Sequence, residues 1–262
     1  METKHRALIR RELLKIQSQE QKLRKKAEKA KPVAWKSALE EKIPEKVYVG
    51  LEKAFCTGFK LVFQHGRKLI ELTYRKGNIQ QEHILRDQAV QAEASRRDFK
   101  QMQKNVRKAG AVNMAVTTAE GVALGALGVG MPDVVLFLAT LLKGIYETAL
   151  HYGFEYDTPA EQYLILKMMS ASLKTGKAWL REDAKVDALL CEDAIGMSQE
   201  ILTEQIQKTA SAFAMDMLVL KFIQGIPVVG FLGGAANPVY YGKVMEYVQR
   251  KYRKRYLLRQ LK

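Results

Sequence analysis

Cysteine is nearly missing. Only Cys56 and Cys191 occur in 262 residues, far apart. That excludes a disulfide scaffold, a CxxC redox pair and a cysteine-rich zinc site; both thiols are expected as small core residues. Histidine is as sparse: His5, His65, His83 and His151 are scattered, and no nucleophile–base pair is recognisable. His83 and Asp87 stand one helical turn apart, but a surface hydrogen bond is expected there rather than a metal pair. No stretch alternates apolar and polar residues between hairpin turn signals, which excludes a sheet protein. No continuous apolar stretch follows the basic start METKHRALIRRELLK, so no signal peptide is read and the chain is expected inside a cell. No cofactor or metal is expected.

What is abundant is positive charge, and it is unevenly placed. Residues 1–31 carry eleven Lys/Arg against four Asp/Glu, and residues 243–262 carry eight against one. The body between them is balanced, 24 against 23, so nearly all of the net charge of +15 sits at the two ends. A hydrophobic share of 47% supports an ordinary core in the body.

Apolar spacing near helical period dominates that body. Residues 5–31 read as a polar helix: Ile9, Leu13, Ile16, Leu23, Ala27 and Ala30 keep a seven-residue rhythm, which Glu20 breaks. Lys31-Pro32 should end it. Trp35–Lys42 is a short segment with capping-box spacing at Ser37 and Glu40. Ile43-Pro44 opens a long helix, with Gly77-Asn78 as its expected stop and Gly58 and Gly66 as points of close approach. Residues 79–108 are a charged helix continuing into the apolar stretch at Ala109. Thr158-Pro159-Ala160-Glu161 is a helix start: Thr158 as N-cap, Pro159 in the first position, Glu161 closing the capping box, Asp157 complementing the dipole. His151 lies at a helix end where its charge would suit the dipole. An apolar-faced helix is expected over 161–180, and a joint near Gly196-Met197-Ser198. Gly176-Lys177 is not a P-loop, because Ala178 stands where Ser or Thr is required and Ala171 where the first glycine should be. The expected fold is all-α: a single multi-helical domain of seven to nine helices over 33–262, with close-packed glycine-rich joints and a basic N-terminal helical arm over 1–32.

Two glycine-rich stretches interrupt this pattern. In EGVALGALGVGMPD, Glu120 to Asp133, the order Gly125, Gly128, Gly130 does not match a dinucleotide loop, and no strand precedes it. As a membrane span it is broken by Pro132, and FIQGIPVVGFLGGAANPVYYG is broken by Pro227 and Pro238. Lipid would leave such irregular backbone unpaired. Re-entrant hairpins or buried helix joints remain open. As a core joint, Gly121 and Gly125 share one helix face, Gly128 and Gly130 permit a turn, and Pro132-Asp133 restarts a helix. Val134–Leu142, apolar all round, is then surrounded by protein.

The ordered set Ala119-Glu120-Gly121, Gly125, Gly128, Gly130, Pro132-Asp133, Tyr152-Gly153, Asp157, Pro159 and Glu161 resembles the central motif of the EcsC family. IPVVGFLGGAANPVYY, with Gly230, Gly233, Gly234 and Asn237, resembles that family's C-terminal signature. The likeness covers roughly residues 43–256. The family is bacterial and named for the third product of an operon encoding an ABC transporter. The resemblance therefore implies membrane association rather than a reaction.

Three functions are weighed. The first is a non-enzymatic protein held peripherally at the inner face of the cell membrane, accessory to a membrane transporter such as an ABC transporter or to an envelope process. Its anion contacts are expected on the last helix, where Arg250, Lys251, Arg253, Lys254 and Arg255 interleave with Tyr247, Tyr252 and Tyr256, a pattern suited to lipid headgroups. The second is a carboxylate-based enzyme or divalent-ion site built from Glu120, Asp133, Asp157 and Glu161, with Asn237 as a further polar candidate. The third, nucleic-acid binding, rests on basic ends alone, and no recognised motif supports it.

Overall fold

The computed structural model describes residues 2–30, 42–93, 95–116, 132–191, 198–224 and 236–262, with side chains for 4–30, 42–92, 95–108, 134–191, 198–220 and 239–262. Among the described residues there are nine helices and no strand. Helix α1 is Glu2–Lys29. Helix α2 runs Glu45–Leu61, through a π-helical turn at Val62–Gly66, into Arg67–Leu72. Then come α3 (Lys76–Glu93), α4 (Arg96–Val116), α5 (Pro132–His151), α6 (Pro159–Leu173), α7 (Gly176–Leu189), α8 (Gln199–Gln224) and α9 (Ala236–Arg259).

Helix α5 is the axis of one half, packed against α2, α3, α4 and α9; α6 is the axis of the other, packed against α7, α8 and α9. Val134 to His151 is long and apolar enough to cross a membrane, but 78% of it is buried inside the fold. Its all-round apolarity serves a core helix. Gly58 of α2 makes close approach possible: a Cβ there would come within 2.9 Å of Leu138 Cδ1 on α5. Gly66 serves the π turn instead, since its nearest neighbours belong to its own helix.

Several helix starts follow the capping chemistry. Pro44, extended at φ −61° and ψ 126°, is the N-cap of α2. Pro132 begins α5, as its place in a first turn allows. The Thr158 hydroxyl accepts the Glu161 amide hydrogen at 3.2 Å, with Pro159 next to it.

Three boundaries differ from expectation. The long helix ends at Leu72, not at Gly77-Asn78: the Thr73 hydroxyl donates to the Ile70 carbonyl, and Tyr74 turns inward to share a 2.6 Å hydrogen bond with Tyr156. The charged segment 79–108 divides into α3 and α4, because Ser95 and Asp98 form a reciprocal cap, Ser95 N–H to Asp98 Oδ2 at 3.0 Å and Asp98 N–H to Ser95 Oγ at 3.3 Å. The helix expected over 161–180 breaks at Lys174-Thr175, where Gly176 takes φ +54°. The last helix starts at Ala236, ahead of the basic run. Cys56 is buried as expected, but Cys191 is exposed.

Helix α1 packs along α7 and α9. Ile9 and Ile16 are fully buried, with Leu13 and Ala27 beside them, while Ala30 is exposed.

Candidate functional site

The cations of α9 face protein, which corrects their assignment to lipid. Lys251, fully buried, sits among three carboxylates: Glu20 of α1 at 2.8 Å, and Asp183 and Asp187 of α7, each at 2.7 Å. Lys254 reaches Glu20 at 2.6 Å and Asp187 at 2.9 Å. Arg253 donates to Glu12 of α1 at 2.6 Å. Arg255 donates to both Glu161 oxygens, at 2.8 and 2.7 Å, and lies over the Phe154 ring. Arg250 is mostly buried, 3.6 Å from Glu246. The tyrosines are interior too. Tyr247 donates to Asp183 at 2.9 Å, Tyr252 to Glu161 at 2.6 Å and Tyr256 to Asp87 at 2.8 Å. The physical reason is helical spacing. Residues 247, 251 and 255 recur every fourth position, so they form one stripe, and that stripe is the face α9 turns to α1, α6 and α7.

Electrostatics agrees with the geometry. Burial alone would lower Lys251, but Asp183, Glu20 and Asp187 outweigh it and hold its pKa above the usual lysine value. Burial would raise Asp187, and Lys251 and Lys254 outweigh that, leaving it below the usual carboxylate range. Arg24 of α1 adds hydrogen bonds to Asp183 at 3.2 Å and Asp187 at 2.7 Å. The cluster ties three helices together, and each of its charges has an opposite partner, as burial demands.

The carboxylate set is not assembled among the described residues. Glu161 is buried and engaged by Arg255 and Tyr252, so its side chain turns away from the capping box. Asp157 is exposed. Glu120 and the side chains of Asp133 and Asn237 lie outside the described residues, as do Gly121, Gly125, Gly128, Gly130, Gly230, Gly233, Gly234 and the Ser37/Glu40 segment. No group of three His, Cys, Asp or Glu side chains is arranged to hold a metal ion among the described residues. The His83 Nδ1–H donates to the His151 carbonyl, 3.1 Å away, while Asp87 is occupied by Tyr256, Gln260 and Gln91. Burial lowers the pKa of His151, with Arg86 and His83 pushing the same way against Glu82. It is therefore neutral near pH 7 rather than a cation for the helix dipole.

Sorting inward acids from outward bases leaves α1 with an uncovered cationic face. Glu12 and Glu20 point inward with Ile9, Leu13 and Ile16. Lys4, Arg10, Arg11, Lys15, Lys22, Lys25, Lys26 and Lys29 are exposed on the other side, where Glu28 is the exposed carboxylate among the described side chains. Leu14, 62% exposed, lies among them. This face was legible as basic, but its sidedness was not drawn from the sequence. The available signal was the four-residue spacing of Glu12, Ile16 and Glu20, which puts the acids on the apolar stripe.

A family comparison covers the same ground. The EcsC protein family matches residues 7–257, which takes in most of α1 as well as the motif region. No curated protein and no solved structure matches. With nearly the whole length matched, helix α1 and its acidic inner face included, the chain belongs to the EcsC protein family.

Proposed function

We propose that this is a non-enzymatic protein that docks peripherally on an anionic membrane surface, at the inner face of the cell membrane, through the outer face of α1. The observation that carries the reading is the segregation of charge on that helix. Its buried acids neutralise α9, while exposed bases such as Arg10, Arg11, Lys25 and Lys29 line the opposite side. Each base brought near anionic headgroups adds about 1 kcal/mol. Leu14 gives the face one apolar side chain to set among the lipids. In this reading the protein serves as an accessory to a membrane transporter or an envelope process.

Co-sedimentation of the whole chain with vesicles tests it. Pelleting is expected with phosphatidylglycerol vesicles and not with phosphatidylcholine vesicles, and it should be released by about 0.5 M NaCl, where the screening length falls to a few ångströms. Equal pelleting with both lipids, or none with either, would contradict the proposal.

A further inference from the structure

Beside that face lies a cavity of about 730 Å³, between α1 and α4 with α9 beneath them. Its size is that of a small-molecule site. Leu23, Val106 and Met245 supply apolar wall from three different helices. Lys22, Arg107 and Arg250 supply positive charge from the same three helices. Arg253 also lines it but is committed to Glu12. Among the described lining residues the acidic one is Glu246, whose side chain is 80% exposed and 3.6 Å from Arg250, too loose and too wet a pair to neutralise the site.

One donor beside the cavity is unpaired among the described residues, and the cavity's field is positive. The Arg250 Nε is buried and has no hydrogen-bond partner among the described residues, although buried donors are normally paired. Tyr152 lines the cavity, and although burial raises its phenol to about 12, Arg253 and Arg107 both oppose that rise, so their positive field reaches its ring. An acceptor oxygen placed here would meet the positive field of the Arg250 guanidinium and the exposed side chains of Arg107 and Lys22. A phosphate offers several such oxygens, and arginine favours phosphate geometry.

We infer that this cavity binds one phosphate-headed amphiphile, with the head among Lys22, Arg107 and Arg250 and the tail against Leu23, Val106 and Met245. The inference goes beyond surface docking and does not depend on it. The phosphate could come from a membrane lipid or from solution, and calorimetry with soluble probes separates these sources. The probes are dihexanoyl phosphatidic acid, dihexanoyl phosphatidylcholine and inorganic phosphate, all below micelle-forming concentrations. Saturable 1:1 binding of the phosphatidic acid is expected, with the other two at least about tenfold weaker. Arg107→Gln, at an exposed position whose replacement spares the fold, and Arg250→Gln should each weaken it by about tenfold, the size of one charge-assisted hydrogen bond. Arg11→Gln/Lys25→Gln/Lys29→Gln should leave it unchanged. If that triple variant loses vesicles but keeps the soluble lipid, the two sites are separate. If wild type binds the soluble lipid but never vesicles, the surface reading alone fails. Absence of saturable binding to wild type, an unaffected Arg107→Gln, or inorganic phosphate binding as tightly as phosphatidic acid would overturn the inference.

Discussion

Lys251 shows how far a single residue can mislead and inform. In sequence it is one cation in a run of basic and aromatic residues. In the fold it is the centre of a cluster with Glu20, Asp183 and Asp187. Replacing it by methionine keeps the stem but strands three carboxylates, with only Arg24 and Lys254 to share among them. Removing one partner of a buried ionic group costs about 3–5 kcal/mol, so Lys251→Met should lower the urea midpoint by a corresponding amount. A loss under about 1 kcal/mol would mean that water already reaches the cluster. What made this residue hard to read was its partners' distance in sequence: Glu20 lies at the other end of the chain. Glu20 itself left a trace, as the one break in the α1 rhythm, because a buried acid replaces an apolar side chain there. The same lesson holds for Glu161. Its position three after Thr158 fits a capping box, and the backbone half of that box forms. A half-buried arginine then competes for the carboxylate and wins, since the double contact with Arg255 is stronger than one bond to an amide.

At the scale of elements, local rules were reliable wherever local chemistry decides. Pro44, Pro132 and Thr158-Pro159 mark helix starts because missing donors and hydroxyl caps act within one turn. Ser95-Arg96-Arg97-Asp98 follows the same rule and was readable, but its charge masked the cap. Long-range packing decided the rest. Nothing near Tyr74 announces that α2 should end there to let its hydroxyl meet Tyr156. Helix α1 is the sharpest case, and its two faces predict opposite outcomes. Ile16→Ala, at a fully buried position, should cost about 2–5 kcal/mol in a denaturant titration. Arg11→Gln/Lys25→Gln/Lys29→Gln, at exposed positions, should change stability by less than about 1 kcal/mol. A triple variant as damaging as Ile16→Ala would show that α1 is turned the other way.

For the whole molecule, stability should depend on pH in two stages. His83 and His151 are held below the usual histidine value, burial being the largest cause for each. A group lowered in the fold contributes stability above its unfolded pKa and loses it as pH falls through the folded one. The first decline should therefore begin below about pH 6.5. Asp187 is depressed, and Glu182, beside Lys167 and Lys185, is held down to about 2. Their contribution persists above about pH 4 and disappears as pH falls further. Lys251, raised in the fold, loses its contribution only above about pH 10. Urea midpoints should thus be flat from about pH 7 to 9 and fall in two steps below, and a maximum near pH 5 would contradict the assignment. The overall charge of the chain was plain in its composition, whereas its direction was not, because only folding decides which cations are already neutralised.

That direction is the central claim, and two variants of equal net charge test it. Arg11→Gln/Lys25→Gln/Lys29→Gln removes three charges from the outer face of α1; Lys46→Gln/Lys53→Gln/Lys60→Gln removes three exposed charges from α2, which packs on α5 and α8 rather than on α1. Sedimentation with phosphatidylglycerol vesicles at fixed ionic strength compares them. The account predicts that the α1 variant loses binding by about 100-fold, from about 1 kcal/mol per charge, while the α2 variant binds nearly as well as wild type. Equal losses in both would show that total charge, not the outer face of α1, governs the interaction.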